Sequence, residues 1–284
     1  MFIHHQHQET TRMSGSTLHT NDTLNPSRSI EPKISIITIS LNSASTIRQT
    51  IESVLSQNYK NIEYILVDGQ STDGTLQIIQ KYQHDFPEKI KWVSEPDFGL
   101  YDAMNKGIRL ATGEIVGILN SDDCYSNSQC VSQIAHAFQN KCIQAVFADL
   151  RIVAQNDINR TFRYYSSSRF HPNRFKFGFM PAHPTFFTYM KNFNEYGYYK
   201  NNYVIAADYE LLVRFLYVHR LPYEYLPIDL IRMRKGGRST ASIRQKLKFD
   251  SEIVRACKSN GLYTNSLIVL FRGVEKFSEF LFRN

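Results

Sequence analysis

The pattern of apolar and polar positions predicts alternating strands and helices in the first half of the chain. Short apolar, partly β-branched runs at residues 34–39, 62–67, 90–93, 115–119 and 145–148 are bounded by polar or turn residues, as in buried strands. Between them, apolar residues recur three and four positions apart, as on one face of a helix. This alternation predicts an α/β fold, with a parallel, doubly wound central sheet and right-handed crossovers through about residue 150.

The pattern after residue 150 is less regular. It predicts a hairpin over 151–153 and 160–165, a strand over 185–189, a helix over 204–219 and a strand over 223–234. Two further helices are expected over 243–258 and 266–282, the second with one apolar stripe. Residues 1–30 are polar and carry no periodicity, so we expect a disordered leader there.

The positive charge is concentrated at the C-terminal end. The net charge is +7, yet residues 231–284 alone hold 12 Lys and Arg against 4 Asp and Glu. A basic end favours an anionic partner, such as phosphate, nucleic acid or a lipid surface.

The four cysteines include no Cys-x-x-Cys pair, which favours reduced thiols in a cytosolic setting. No run reaches the roughly 20 apolar residues of a membrane span, and the N-terminal residues do not resemble a signal peptide. The sequence therefore favours a cytoplasmic protein.

Acidic residues follow three consecutive predicted strands. Asp68 ends the second strand, Asp97 follows the third, and the adjacent Asp122 and Asp123 follow the fourth. Because the carboxyl ends of parallel strands converge on one edge of a sheet, we expect these side chains to line one crevice. Neighbouring carboxylates repel each other unless they share a proton or a cation, and oxygen ligands suit Mg²⁺ or Mn²⁺. The alternative is a solvated turn, since Asn, Ser and Asp are common turn residues.

Several motifs occur in a fixed order along this scaffold. They lie at residues 36–42, 67–75, 95–107, 113–114 and 119–123, with thinner matches at 183–187, 208–211 and 236–239. Together they closely resemble the family 2 glycosyltransferases, enzymes with the GT-A fold that act in bacterial surface-polysaccharide assembly. The resemblance is dense over residues 34–124.

The resemblance implies an inverting, metal-dependent transfer of a sugar from a nucleotide-diphosphate donor to an oligosaccharide acceptor, which we expect to be lipid-linked. Asp123 and Asp122 match the family's acidic motif for Mn²⁺ or Mg²⁺, with Asp123 as the direct ligand. Asp208 matches the position of the base that deprotonates the acceptor hydroxyl, although an N-cap role is the alternative. His183 and Glu210 are expected on the acceptor side, with Glu210 as a second candidate base; a buried structural histidine is the alternative for His183.

The resemblance also implies a set of donor-binding residues. They are Thr38, Ser40, Asn42, Asp68, Asp97, Asp102, Asn105, Lys106, Asp122, Arg238 and Ser239. Family members often carry a second Asp directly after the residue that matches Asp68, where it reads uracil, but this chain has Gly69 there. That difference leaves the base preference open.

The same resemblance divides the chain functionally. Residues 31–150 would bind the nucleotide sugar, 151–240 would form the acceptor side of the same domain, and 241–284 would form basic amphipathic helices. These helices either pack on the domain or contact the inner face of the membrane. No nucleic-acid partner is expected.

Two other functions remain as alternatives. A nucleotidyltransferase uses similar carboxylates, but it usually has a Gly-rich phosphate loop after the first strand, which residues 40–43 lack. A non-catalytic relative that binds nucleotide sugars or glycans is the other, and the presence of Asp122, Asp123 and Asp208 argues against it.

Overall fold

The computed structural model of the protein describes residues 31–236 and 243–270. The predictions made for the leader, for Arg238 and Ser239, and for the last helix beyond residue 270 lie outside these ranges.

Nine strands and seven α-helices form within the described residues. The strands are β1 (Ile34–Ser40), β2 (Ile62–Asp68), β3 (Ile90–Ser94), β4 (Ile115–Ile118), β5 (Cys124–Tyr125), β6 (Ala145–Ala154), β7 (Asp157–Tyr165), β8 (Phe187–Tyr189) and β9 (Tyr223–Arg234). The helices are α1 (Ile47–Leu55), α2 (Thr75–Asp85), α3 (Leu100–Leu110), α4 (Cys130–Ala137), α5 (Met190–Tyr196), α6 (Ala207–Leu212) and α7 (Ile243–Ser259). The predicted alternation is confirmed from β1 to β4, where every predicted strand and helix forms.

All nine strands belong to one mixed sheet. Eight of them follow the order β3-β2-β1-β4-β8-β6-β9-β5, and β7 pairs with β6 as the predicted hairpin. Strands β3, β2, β1 and β4 are parallel to one another. The prediction of a parallel sheet through residue 150 needs one correction, because the short antiparallel strand β8 lies between β4 and β6. Strand β6 runs in the same direction as β4 but is not its neighbour.

The sheet is covered on both faces, which is why its strands appear in the sequence as unbroken apolar runs. On one face, Ile37 and Ile39 of β1 pack with α3 and with residues of α6 and α7. On the other face, Ile34 and Ile36 pack with α1, α2 and α4. Helix α3 approaches β1 so closely that a Cβ atom at Gly107 would lie 2.3 Å from Cγ2 of Ile37.

The predicted helix over 204–219 forms as two parts. Helix α6 is followed by a π-helical segment, Val213–Val218, and Arg220 with φ of 49° ends the element. Glu252 of α7 accepts hydrogen bonds from the backbone N–H groups of residues 204–206 at 2.9–3.2 Å. A buried carboxylate therefore fixes the chain at the point where it enters α6. No helix in the described part of the chain is long and apolar enough to cross a membrane.

Candidate active site

A cleft of about 640 Å³ opens at the carboxyl ends of β1 and β4. Its walls come from residues 39–46 after β1, from Asp97 and the start of α3, from residues 120–123 after β4, and from parts of the hairpin and the end of β9 (residues 233–236). Parallel α/β sheets bind their ligands at this edge. Of the acidic residues expected in one crevice, Asp97 after β3 and the pair Asp122 and Asp123 after β4 line this cleft, whereas Asp68 at the end of β2 does not.

The adjacent carboxylates Asp122 and Asp123 lie on the wall of this cleft. Asp123 is almost fully buried and accepts hydrogen bonds from Nδ2 of Asn120 at 3.1 Å and from the backbone N–H of Arg234 at 3.3 Å. Burial raises the pKa of both carboxyl groups, and the charge of Asp122 raises that of Asp123 further. Two carboxyl groups so placed favour a shared proton or a bound cation.

The oxygen atoms around this pair suit a hard divalent cation. Oδ1 of Asn120 is buried and has no hydrogen-bond partner, although Nδ2 of the same side chain is bound to Asp123. A buried acceptor without a donor is unusual, and a cation would satisfy it. The described residues contain no group of three or more His, Cys, Asp or Glu side chains able to hold a metal. Water and the oxygens of a substrate would therefore complete the coordination.

Arg234, at the end of β9, is the main site residue that the sequence analysis missed. Its Nη1 donates to the backbone oxygen of Asp122 at 2.5 Å, and its Nε donates to the backbone oxygen of Gln155 at 3.2 Å. Its Nη2 donates to Oε1 of the Gln49 side chain. Its charge partly opposes the rise in pKa of both aspartates. The sequence does show an arginine at the end of the predicted strand over 223–234. It does not show that this strand lies beside β5 and the acidic pair.

Three more predicted donor-binding residues line the same cleft: Ser40, Asn42 and Asp97. Oδ1 of Asp97 accepts from the backbone N–H of Gly99 at 2.9 Å, and its Oδ2 lies against Gly69, where a Cβ atom would be only 2.4 Å away. Asp97 therefore occupies the space into which a side chain at position 69 would project.

Asp68 is fully buried and does not line the cleft. Its two oxygens accept from the side chain of Ser40 at 3.2 Å, from the backbone and side chain of Ser71 at 2.9 and 2.5 Å, and from the side chain of Ser94 at 2.9 Å. These contacts shape the loop after β2, which favours a structural role over direct contact with the donor.

Four other predicted donor-binding residues are also absent from the cleft wall. Thr38 is buried in the sheet and accepts from the hydroxyl of Tyr64. Asp102 accepts from the backbone N–H of Phe98 at 3.1 Å, and Lys106 binds Glu95, Asp102 and the oxygen of Pro96.

The fourth, Asn105, joins α3 to the second half of the domain. It pairs with both backbone polar groups of Tyr199, its Nδ2 donating at 2.8 Å and its Oδ1 accepting at 3.0 Å. These two hydrogen bonds connect α3 to the segment at Tyr199, and a contact of Asn105 with the donor stays a prediction.

Asp208, the candidate base, is the second residue of α6 and is partly exposed. It does not line the 640 Å³ cleft but lies behind Tyr101, which follows the cleft residue Leu100 in α3. Burial raises the pKa of Asp208, and the nearby His183 and hydrogen bonds to the carboxylate oppose that rise. A carboxylate with a raised pKa is better suited to accept a proton near neutral pH than an unperturbed one.

The two predicted acceptor-side residues differ in their surroundings. His183 is buried, its Nε2 lies 2.7 Å from the hydroxyl of Tyr199, and burial lowers its pKa. Glu210 is fully buried and binds Arg214 at 2.9 and 3.2 Å, Lys200 at 2.7 Å and Asn260 at 3.1 Å. These contacts favour a structural role for Glu210 instead of the expected acceptor-side role.

Comparison with known protein families finds one match over most of the sheet. The model of the family described as glycosyl transferase family 2 matches residues 35–197. An uncharacterised glycosyltransferase of Mycobacterium tuberculosis is 39% identical over 111 residues, which are 39% of this chain and 41% of that relative. A PGL/p-HBAD biosynthesis glycosyltransferase of Mycobacterium bovis is 30% identical over 185 residues, which are 64% of this chain and 69% of that relative. The aligned part thus spans about two fifths of the first of these relatives and about two thirds of the second.

Solved structures with the same fold include two that hold nucleotide sugars. A mannosyltransferase from Pyrobaculum calidifontis in complex with GDP-Man and Mn²⁺ has a TM-score of 0.62 at 16% identity, covering 81% of this chain and 64% of that one. Residues 1–349 of S. aureus TarS in complex with UDP-GlcNAc have a TM-score of 0.60 at 18% identity, covering 84% of this chain and 70% of that one. The predicted GT-A-like α/β fold is confirmed by these similarities.

Proposed function

Since the chain belongs to glycosyl transferase family 2, we propose that it moves a hexose from a nucleotide-diphosphate donor to an oligosaccharide acceptor, inverting the anomeric carbon, in cell-surface polysaccharide synthesis. One observation carries the proposal: Asp122 and Asp123 line the cleft after β4 together with Asn120, whose buried Oδ1 has no hydrogen-bond partner. The nucleotide sugars held by two structures of the same fold support the donor class.

A divalent cation, Mn²⁺ or Mg²⁺, would be held by Asp123 and Asp122, with Oδ1 of Asn120 as a neutral ligand. When bound, such an ion neutralises the charge that forms on the diphosphate as the sugar leaves. The protein keeps these oxygens in place through Arg234, which binds the backbone of Asp122 and donates its own N–H to Asp123. Because burial raises the pKa of both carboxyl groups, cation binding should weaken as the pH falls.

The nucleoside would bind where Ser40, Asn42 and Asp97 line the cleft with hydroxyl, amide and carboxylate groups. Gly236 lies on the cleft wall and is followed two positions later by Arg238, so Arg238 and Ser239 are proposed to close over the diphosphate. An Arg side chain suits phosphate oxygens because its N–H groups form a fork.

Asp208 is proposed as the base that takes the proton of the acceptor hydroxyl. Its raised pKa and partial exposure support this role. Asp208→Asn keeps the shape of the side chain but cannot accept a proton, so transfer should fall about 10²- to 10⁴-fold while donor binding stays unchanged. The assay is release of nucleoside diphosphate from UDP-, GDP-, CDP- and dTDP-sugars in the presence of candidate glycan acceptors. Unchanged transfer by Asp208→Asn would remove this residue from the mechanism.

A lipid-linked acceptor would require the protein to reach the inner face of the membrane. On α7, the exposed residues Arg244, Lys248 and Lys258 recur at spacings that place them on one face. Three large apolar side chains beyond α7, those of Tyr263, Leu267 and Leu270, are more than 60% exposed. Basic and apolar groups together favour an anionic lipid surface.

This contact is tested by sedimentation with phosphatidylcholine vesicles, with and without about one third phosphatidylglycerol. Binding that needs the anionic lipid, weakens with salt and falls in Lys248→Glu/Lys258→Glu supports the membrane contact. Equal sedimentation with both lipids, or no binding to either, contradicts it.

A further inference from the structure

Tyr101 links helix α3 to the segment that carries the candidate base. It is the second residue of α3 and is 5% exposed. Its hydroxyl lies 2.5 Å from the backbone oxygen of Ile205 and 3.2 Å from Oδ1 of Asp208. Ile205 lies just before α6, so one hydroxyl group contacts both the entry to this helix and its acidic residue.

The ring of Tyr101 is fixed independently of its hydroxyl. It stacks on Tyr199, with ring centroids 5.8 Å apart and an interplanar angle of 22°. The backbone of Tyr199 is in turn paired with Asn105, which lies one helical turn after Tyr101 on the same face of α3. The hydroxyl therefore sits on a ring held by packing and by a second set of hydrogen bonds, an arrangement that keeps a functional group in one orientation.

The two oxygens of Asp208 are not equivalent. Oδ1 receives the contact from Tyr101 and also the backbone N–H of Tyr209 at 2.8 Å. Both of these donors reach Oδ1, and neither of them reaches Oδ2. We propose that Tyr101 is a positioning residue, which holds Asp208 through Oδ1 and leaves Oδ2 to accept the proton of the acceptor hydroxyl. This inference rests on the proposed role of Asp208 as the base.

A hydrogen bond from Tyr101 to Asp208 affects the pKa of this carboxyl group, whereas packing of the Tyr101 ring does not. Burial raises the pKa of Asp208, and His183, the N–H of Tyr209 and the hydroxyl of Tyr101 all oppose the rise. The other titratable group facing the carboxylate is Tyr199, whose hydroxyl is bound to His183. The one hydroxyl hydrogen of Tyr101 is shared between the backbone oxygen of Ile205 and Oδ1 of Asp208. Because a donor to the ionised carboxylate favours that form, removing the Tyr101 hydroxyl should raise the pKa of Asp208.

The direct test measures that pKa and needs no knowledge of the donor sugar. Aspartate labelled with ¹³C at the side-chain carboxyl is incorporated, and the Asp208 signal is assigned by its absence in Asp208→Asn. In Tyr101→Phe, which keeps the stacked ring, the Asp208 titration should move up by about one pH unit. An unmoved titration would overturn the proposal.

A matched control and an opposite perturbation sharpen this test. Tyr225→Phe removes a hydroxyl that also donates to a buried carboxylate, that of Asp149 at 2.8 Å, and it should leave the Asp208 signal unchanged. Incorporation of 3-fluorotyrosine at position 101 makes the phenol a stronger donor and should lower the pKa of Asp208. A shift in the same direction as in Tyr101→Phe contradicts the assigned hydrogen bond.

Kinetics separate this inference from the proposed function. In Tyr101→Phe the acidic limb of the kcat/KM profile should move to higher pH, with a loss of about tenfold on that limb and little loss above it. A loss of the same size at every pH contradicts the positioning role while leaving the base role of Asp208 intact. If Asp208→Asn remains active, the base role fails, and the NMR titration still decides whether Tyr101 controls the carboxylate.

Discussion

Replacing Glu210 with Gln tests whether this residue has a structural or a chemical role. The Glu210 carboxylate is fully buried between Arg214, Lys200 and Asn260. Gln has nearly the same shape but no charge, and its N–H groups would face Arg214 and Lys200, which cannot accept a hydrogen bond. The substitution therefore leaves the 9% exposed Arg214 without its counter-ion.

The expected loss of stability in Glu210→Gln follows from how deeply Arg214 and Lys200 are buried. Breaking a buried ion pair by removing one member costs about 3–5 kcal/mol. Arg214 keeps its hydrogen bonds to the backbone oxygens of residues 196–198, which places the loss at the lower end of that range. Lys200 is 42% exposed, so its share is small. We expect a loss of about 3 kcal/mol, equivalent to roughly 6–12 °C in melting temperature.

The stabilisation that the Glu210 carboxylate provides should decrease at acidic pH. Burial alone would raise the pKa of Glu210, but the hydrogen bonds and charges of Arg214, Lys200 and Asn260 outweigh it and lower the pKa. The stabilisation is therefore fully present above the unfolded-state value of about 4.3 and is lost as the pH falls through the lower folded-state pKa. The difference between wild type and Glu210→Gln should be constant near neutral pH and should shrink below about pH 4.

Urea unfolding of the two proteins measures this difference, with Glu95→Gln as the matched control. Glu95 is 48% exposed and pairs with Lys106 at 3.1 Å, so its loss should change stability by less than about 0.5–1 kcal/mol. Transfer activity per folded molecule of Glu210→Gln should remain close to that of wild type. Unchanged stability together with lost transfer would refute the structural role and restore Glu210 as a candidate base.

Three further substitutions test the account of the cleft. In Gly69→Ala the new Cβ would displace the carboxylate of Asp97, so nucleotide affinity should fall several-fold while the melting temperature changes little, as measured by calorimetric titration. Arg234→Gln removes a charge that lowers the pKa of Asp123, so the pH midpoint of Mn²⁺ binding should move upward; a downward shift contradicts the assigned electrostatics. Asp102→Asn weakens an acceptor at the start of α3 and should cost about 1 kcal/mol in urea unfolding without changing nucleotide affinity, whereas lost affinity would support the predicted donor contact.

Local patterns predicted the first half of the sheet well because β1, β2 and β4 are mainly apolar segments that are almost entirely buried. Strands β5 and β8 contain only two and three residues, and their partners lie about 40 to 110 residues away in the sequence. Such strand pairings depend on tertiary contacts, which the local periodicity of apolar residues does not reveal. The insertion of β8 between β4 and β6 was missed for this reason.

The difference between local sequence patterns and tertiary contacts also explains which site residues could be predicted. Asp122 and Asp123 could be placed in a crevice because they directly follow a recognisable central strand. Arg234 was missed because its importance depends on the pairing of β9 with β5, which brings it to the acidic pair. Asn105 and Glu210 were assigned from their motifs, but a polar side chain carries no sequence signal of whether its partner will be a ligand or a backbone group.

The most direct test of the account is thermal stability in the presence of UDP, GDP, CDP or dTDP, each with and without Mn²⁺. A ligand that binds only the native state must raise the melting temperature. The account predicts a Mn²⁺-dependent rise with at least one nucleotide, abolished in Asp123→Ala and retained in Glu95→Gln. No rise with any of the four at millimolar concentration, or a rise that survives in Asp123→Ala, would contradict a cation and diphosphate site at the carboxyl end of β4.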